Sequence, residues 1–109
     1  MLSLADKAFA KLQKLNLHAT TLEKNTLSNV TEWIDTGCLV LNSILSGSLY
    51  GGVPKGRITI FAGEAQCGKT FILNKILAKA QKKGMIPIIF DTECAIEKEG
   101  AENVGLDVA

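Results

Sequence analysis

Residues 63–70 carry the pattern in this chain that is best suited to chemistry. They read Gly-Glu-Ala-Gln-Cys-Gly-Lys-Thr and fill every defining position of the phosphate-binding pattern GxxxxGK[ST]. The two glycines let the backbone curl so that main-chain N–H groups point inward as an anion site. Lys69 would then reach the β- and γ-phosphates of a nucleoside triphosphate, and the hydroxyl of Thr70 would bind Mg²⁺. The predicted nucleotide-binding residues of this segment are Gly63, Glu64, Ala65, Gln66, Cys67, Gly68, Lys69, Thr70 and Phe71.

The pattern indicates a phosphate site only where a strand leads into it and a helix leaves it. The run 57–62 is β-branched and aromatic and follows a glycine- and proline-rich turn, which predicts a strand. Apolar residues within 72–80 recur at helical spacing, Asn74 falls on the polar face of this helix, and Gly84 would end it. A second strand is predicted over 86–90. Strand, helix and strand in this order predict a right-handed βαβ unit with parallel strands.

Carboxylates follow directly after the second predicted strand, at Asp91 and Glu93. In an open parallel sheet, ligands bind at the carboxyl ends of the strands, where the phosphate-binding pattern also lies. Glu93 could therefore orient or deprotonate the water that attacks a γ-phosphate. It could instead bind Mg²⁺ or cap the next helix. The residues alone leave these three roles open.

The first third of the chain differs in character from the rest. Ser3 with Asp6 three residues later predicts a capping box, followed by a helix with an apolar stripe that ends at Leu15. The polar segment 18–29 predicts a linker, with a short strand around 30–34. We therefore divide the chain into residues 1–33, an N-terminal helix and linker, and residues 34–109, a nucleotide-binding core. The helix would be either a cap on the core or an oligomerisation arm that docks on another subunit.

Composition and charge restrict the class of protein. The 109 residues are 47% hydrophobic, which is enough for one modest core. The net charge of +1 gives no electrostatic footprint for nucleic acid. No apolar run is long enough to cross a bilayer and no signal peptide is evident, so we expect a cytoplasmic protein without membrane contact. The three cysteines lack the spacing of a zinc site or a disulfide framework.

Further motifs surround the phosphate-binding pattern in a fixed order. They are the stretches IDTGCLVLN at 34–42, GGVPKGRI at 51–58, DTECA at 91–95 and NVGLD at 103–107. Together they resemble the RecA/RadA recombinase family, and within it the phage UvsX and bacterial RecA branches. The resemblance covers about two-thirds of the chain. It implies an α/β fold of the P-loop NTPase, RecA-like type, with a parallel-sheet core that is incomplete in this chain.

The resemblance also implies roles for individual residues. Glu93 matches the glutamate that activates the hydrolytic water, and Lys69 and Thr70 match the phosphate and magnesium residues. Glu97 falls where an acidic residue often contacts adenine. Gly100 stands where the family commonly has a tyrosine that stacks on the base, so stacking from this position is not expected. Asn42 stands where aspartate is usual, a difference that the sequence does not explain.

The function implied is the ATP-binding, N-terminal portion of a recombinase that exchanges DNA strands. The intact protein would be a DNA-dependent ATPase that uses ATP and Mg²⁺. It would form a homo-oligomeric filament on single-stranded DNA through regions absent from this chain, in the cytoplasm or, if phage-encoded, the host cytoplasm. This chain alone is expected to be inactive. Two alternatives stay open: a P-loop kinase of a small-molecule acceptor with Asp91 as its metal- or acceptor-binding carboxylate, and a non-catalytic nucleotide-binding or assembly module.

Overall fold

Four helices and one small sheet make up the part of the chain that a computed structural model describes, residues 3–21, 23–26 and 28–108. The ends of the two predicted regions at residues 1, 2 and 109, and Leu22 and Leu27 of the predicted linker, lie outside it. The elements are α1 (Leu4–Leu15), β1 (Trp33–Ile34), α2 (Leu39–Ser46), β2 (Val53–Pro54), α3 (Lys69–Lys82) and α4 (Lys98–Asn103).

Helix α1 begins with the predicted capping box. The Ser3 hydroxyl accepts from the Asp6 N–H at 3.2 Å, and the Asp6 carboxylate accepts from the Ser3 N–H at 2.9 Å. The hydrogen bond with the Ser3 side chain, followed by the one with its backbone, lowers the pKa of Asp6. The apolar stripe of α1 remains exposed, with Leu4 at 87% and Leu15 at 86% exposure. The predicted capping box and the helix that ends at Leu15 are therefore confirmed, and a single helix of this kind leaves most of its stripe uncovered.

The sheet pairs β1 with β2 in antiparallel order, with Trp33 opposite Pro54 and Ile34 opposite Val53. The short strand expected around 30–34 thus forms at its last two residues. Gly52 has φ of 134°, and a Cβ there would lie 2.1 Å from the carbonyl oxygen of Ile34. Only glycine therefore permits this close approach of the two chain segments.

Asn42 of α2 lies at the centre of a buried polar network. Its side-chain oxygen accepts from the N–H of Thr36 at 2.9 Å and from the Thr36 hydroxyl at 2.7 Å. Its amide nitrogen donates to the Asp35 carboxylate at 2.8 Å and to the Leu49 carbonyl at 3.0 Å. Asn42 and Thr36 are only 1% and 2% exposed. This network joins the segment after β1 to α2 and to the chain that leads into β2.

Helix α3 is held against β1 by lysines on its C-terminal half. Lys79 forms an ion pair with Asp35 at 2.9 Å, and Lys83, just after the helix, donates to the Trp33 carbonyl at 2.6 Å. On another face, Ala78 packs with Ala101 and Leu106 in a small core that joins α3 to α4. The helix ends as predicted, with Gly84 at φ of 81° after the cap.

The two predicted parallel strands do not form in the described part of the chain. Residues 57–62 and 86–90 carry no strand in the described part of the chain, whose sheet contains only β1 and β2. A strand exists only where its N–H and C=O groups pair with a neighbour, and an isolated pair is marginal in water. Here the apolar side chains of both runs are uncovered, with Ile58 at 94% and Phe90 at 91% exposure. Neither run pairs with another segment among the described residues.

Candidate functional site

The loop 63–68 turns sharply into α3. Gln66 and Gly68 have φ of 62° and 90°, in the left-handed region. Gly68 is the N-cap of α3, which begins at Lys69. A Cβ on Gly63 would lie 3.0 Å from the sulfur of Cys67, so the first glycine of the pattern permits this tight curl.

The ammonium group of Lys69 folds back onto this loop. Its Nζ donates to the carbonyl oxygens of Gly63 at 2.8 Å and Glu64 at 2.5 Å, and it lies 3.7 Å from the Cys67 sulfur. The positive charge therefore sits inside the curl of the loop and is held there by backbone carbonyls. An anion that enters the curl would meet this cation directly.

The N-terminus of α3 is well suited to bind an anion. No side chain caps it, and its first turn contains no acidic residue. The first N–H groups of a helix lack internal partners, and the helix dipole adds about half a positive charge there. Thr70, in the same turn, is exposed. The N–H groups of the first turn, the Lys69 ammonium and the Thr70 hydroxyl thus lie at one end of one helix.

Thr70 borders two adjoining cavities. The first, of about 240 Å³, is lined by Thr59, Phe61, Lys69, Thr70 and Leu73. The second, of about 200 Å³, is lined by Thr70, Phe71, Asn74, Ala95, Glu97 and Gly100. The structure therefore brings the predicted residues Thr70, Phe71 and Glu97 to one cavity. Phe71 is 56% exposed, and Lys75 Nζ lies 5.5 Å from the centre of its ring.

Asn74 was missed by sequence reasoning. The helical pattern placed it on the polar face of α3, whereas it is only 5% exposed. It lies one turn after Thr70, and residues four apart share a face of a helix. That spacing was the available signal, but the lysines around it suggested a solvated face.

The segment after residue 90 is organised by Asp91. Its carboxylate accepts from the N–H of Ile96 at 2.9 Å and from the N–H of Glu93 at 3.2 Å. The backbone N–H of Ile96 is the main cause of the lowered pKa of Asp91. Each oxygen of the Asp91 carboxylate thus accepts a hydrogen bond from the backbone of the turn that follows it.

Glu93 remains available for chemistry. Its side chain is exposed and makes no hydrogen bond or ion pair with another described residue. Helix α4 has Glu97 at its N-cap and no side-chain cap hydrogen bond. Glu93 therefore does not cap the next helix, one of its three candidate roles.

The donor set suits Mg²⁺ only together with phosphate. Residues 3–21, 23–26 and 28–108 contain no cluster of three or more His, Cys, Asp or Glu side chains that could hold a metal. Mg²⁺ usually keeps several waters and takes one or two protein ligands plus phosphate oxygens. A single hydroxyl at Thr70 beside an anion site fits that mode of binding.

The sequence of this chain is similar to those of known proteins over nearly its whole length. The sequence model of the protein family described as RecA N-terminal domain matches residues 1–109. The chain belongs to the RecA family. Among its RecA relatives, the protein of Nitratiruptor sp. is 39% identical over 103 residues, which cover 94% of this chain and 27% of that protein. No solved structure matches the chain.

Other RecA proteins match over similar stretches. The Clostridium botulinum protein is 43% identical over 86 residues, 79% of this chain and 23% of that protein. The Chlorobium chlorochromatii protein is 34% identical over 108 residues, 91% of this chain and 31% of that protein. The chain thus spans between a fifth and a third of the length of these RecA relatives. Within the described residues, no helix is both long and apolar enough to cross a membrane.

Proposed function

We propose that this chain is the ATP-binding, N-terminal portion of a recombinase that carries out ATP-dependent strand exchange on single-stranded DNA. The observation that carries the proposal is the closed loop 63–68, with the Lys69 ammonium inside it and the uncapped start of α3 behind it. Membership of the RecA family supports the recombination and repair context.

Each residue of the site has a proposed role. Backbone N–H groups of the loop and of the first turn of α3 bind the phosphate oxygens. Lys69 exchanges its carbonyl partners for the β- and γ-phosphates and neutralises charge that develops on the γ-phosphate. Mg²⁺, when bound to Thr70 and the phosphates, would supply further neutralisation. Glu93 orients or deprotonates the attacking water, since its carboxylate is exposed and unpaired within the described chain.

The sheet and the assembly belong to the same proposal. Segments 57–62 and 86–90 would pair within the parallel sheet of a P-loop core in the longer protein, which would cover their exposed apolar side chains. The exposed stripe of α1 would act as an arm that joins neighbouring subunits of a filament. Single-stranded DNA would be bound by regions outside this chain, and the protein would work in the cytoplasm.

Nucleotide binding is tested by replacing the charge in the loop. Lys69→Ala should weaken ATP affinity by at least about 100-fold, because a charge-assisted contact to phosphate is lost. Lys82→Ala removes a lysine from the far end of α3 and should leave the affinity unchanged. The measurement is titration with a fluorescent ATP analogue in the presence of Mg²⁺. Equal affinity of the wild type and Lys69→Ala would refute the proposal.

Hydrolysis is tested separately. Glu93→Gln in the intact protein should retain ATP binding and lower DNA-dependent turnover by about 100-fold or more, since the water loses its base or orienting group. Glu99→Gln on α4 is the matched control and should leave turnover unchanged. Full turnover by Glu93→Gln would exclude the catalytic role. If the wild type and the Glu99→Gln control both bind ATP but neither hydrolyses it, the chain would be better described as a non-catalytic nucleotide-binding module.

A further inference from the structure

The carboxylate of Asp91 organises the turn that carries Glu93. One of its oxygens accepts from the N–H of Glu93 at 3.2 Å, and the other accepts from the N–H of Ile96 at 2.9 Å. Backbone N–H groups of the turn lower the pKa of Asp91, that of Ile96 most strongly, followed by those of Ala95, Glu93 and Cys94. The charged carboxylate thus faces the backbone of the turn.

The backbone of this turn has a shape that needs support. Cys94 has φ of 53°, in the left-handed region, which residues with a side chain rarely adopt. Two hydrogen bonds to one carboxylate, one on either side of Cys94, hold the chain in this conformation. An aspartate suits this position because an ionised carboxylate only accepts and can serve two donors at once. The position of the Glu93 backbone therefore depends on Asp91.

The same turn borders the candidate phosphate site. Ala95 lines a cavity together with Thr70, the proposed magnesium ligand. The next residue, Ile96, donates its N–H to Asp91. The Asp91 carboxylate therefore connects the backbone of Glu93 to the segment that forms a wall of the site.

We propose that Asp91 is a positioning residue that acts through Glu93, an inference that rests on the proposed catalytic role of Glu93. Asp91 holds the backbone of the turn, and Glu93 presents its carboxylate to the water that attacks the γ-phosphate. In this role Asp91 itself contacts neither the water nor the nucleotide. A displacement of about 1 Å at a catalytic group can cost about 100-fold in rate. A looser turn should therefore lower turnover and leave nucleotide affinity unchanged.

The first test separates turnover from binding in the intact protein. Asp91→Asn keeps the size of the side chain but replaces one acceptor oxygen with a donor, so one of the two backbone N–H groups loses its partner. DNA-dependent hydrolysis of ATP should slow by about 10-fold, with the affinity for ATP in the presence of Mg²⁺ unchanged. Asp107→Asn removes the same charge from an exposed aspartate and should change neither quantity. A matching loss of affinity would mean that Asp91 binds the metal or the nucleotide directly, and would overturn the proposal.

The second test repeats the substitution without the side chain that is to be positioned. In a Glu93→Ala background, Asp91→Asn should have no further effect on the residual turnover, because residues that act as a unit are not additive. If Asp91 only kept the protein folded, the substitution would lower turnover by the same factor in both backgrounds. That result would overturn the positioning role, as would full turnover by Asp91→Asn in the presence of Glu93.

A failure of the proposed catalytic role would look different. In that case Glu93→Ala would keep full turnover, and the positioning role would fall with it. If instead Glu93→Ala is nearly inactive but Asp91→Asn is fully active, Glu93 keeps its role and only the inference about Asp91 is lost.

Discussion

The asparagine at position 42 is explained by its neighbours. Its amide nitrogen donates to the Asp35 carboxylate and the Leu49 carbonyl, two groups that can only accept. Its oxygen accepts from Thr36 twice. An aspartate, which the resemblance led us to expect here, would have no hydrogen to offer Asp35. The asparagine at position 42 is therefore required by the carboxylate at position 35.

Replacing this amide tests the network. Asn42→Asp should lower the unfolding free energy by roughly 2–4 kcal/mol at neutral pH, because two carboxylates would face each other at a buried position. Part of the loss should return in mild acid, since a protonated carboxyl can again donate to Asp35. Urea unfolding at several pH values measures both effects. Asn103→Asp, at the exposed last residue of α4, is the control and should change little.

Asp35 itself should make stability depend on pH. The hydrogen bond from Asn42, then those from Lys79 and the Gly37 N–H, lower the pKa of Asp35 from 3.8 to about 2. A lowered folded-state pKa stabilises the protein above the unfolded value and loses that contribution as pH falls. Wild type should therefore lose about 1 kcal/mol relative to Asp35→Asn between about pH 4 and 2, a value reduced for the partial exposure of Asp35. Parallel pH profiles of the two proteins would contradict this assignment.

Two glycines, one after a helix and one inside a helix, should respond in opposite directions to replacement by alanine. Gly84 follows α3 at φ of 81°, where any side chain is strained, so Gly84→Ala should cost about 1 kcal/mol. Gly100 is inside α4 with open space around it, so Gly100→Ala should stabilise by about 0.5–1 kcal/mol. Thermal unfolding without nucleotide measures both. A gain at position 84 would mean that the helix end is not fixed in the left-handed conformation.

Helices were predictable where their signals are local. The capping box of Ser3 and Asp6 fixed the start of α1, and Gly84 marked the end of α3. The strands predicted at 57–62 and 86–90 do not form in the described chain. Local composition could not show this, because a strand depends on pairing partners that no local pattern specifies. The antiparallel pair of β1 and β2 depends on the conformation of Gly52, which the sequence does not show.

The candidate site was predictable to a similar degree. The loop, its lysine and the following helix come from one contiguous pattern, so their proximity needed no knowledge of tertiary structure. The burial of Asn74 and the hydrogen bonds of Asp91 could not be predicted from the sequence, because both depend on how the chain folds around these residues. Asn74 was assigned to the solvent-facing side of α3 but is buried, and Asp91 accepts backbone hydrogen bonds that its position in the sequence does not reveal.

The molecule as a whole is extended. Its radius of gyration is 19.9 Å, whereas a compact domain of this length would have about 13 Å. Helix α1 and the two unpaired runs carry large apolar side chains that face outward, among them Leu15, Ile60 and Ile86. Such surface normally marks an interface, which agrees with the proposed role of α1 in assembly.

The arm hypothesis predicts a separation of assembly from stability. Leu12 on the α1 stripe is 55% exposed, so Leu12→Asp should leave the melting temperature of the subunit nearly unchanged. It should weaken self-association by about 10-fold or more, the value of one buried leucine side chain. Gln13→Asp adds the same charge beside the stripe and is the control. Light scattering over a range of concentrations would show whether the two variants differ; identical assembly would argue for a cap instead.

The mutual dependence of positions 35 and 42 has a practical consequence for chimeric proteins. Suppose that residues 38–54 are exchanged for those of a relative that has aspartate at position 42. The new carboxylate would then face the carboxylate of Asp35, which stays in place, and neither could donate a hydrogen bond to the other. Such hybrids should express poorly unless residue 35 is transferred as well. In an alignment of relatives, the two columns should accordingly vary in concert.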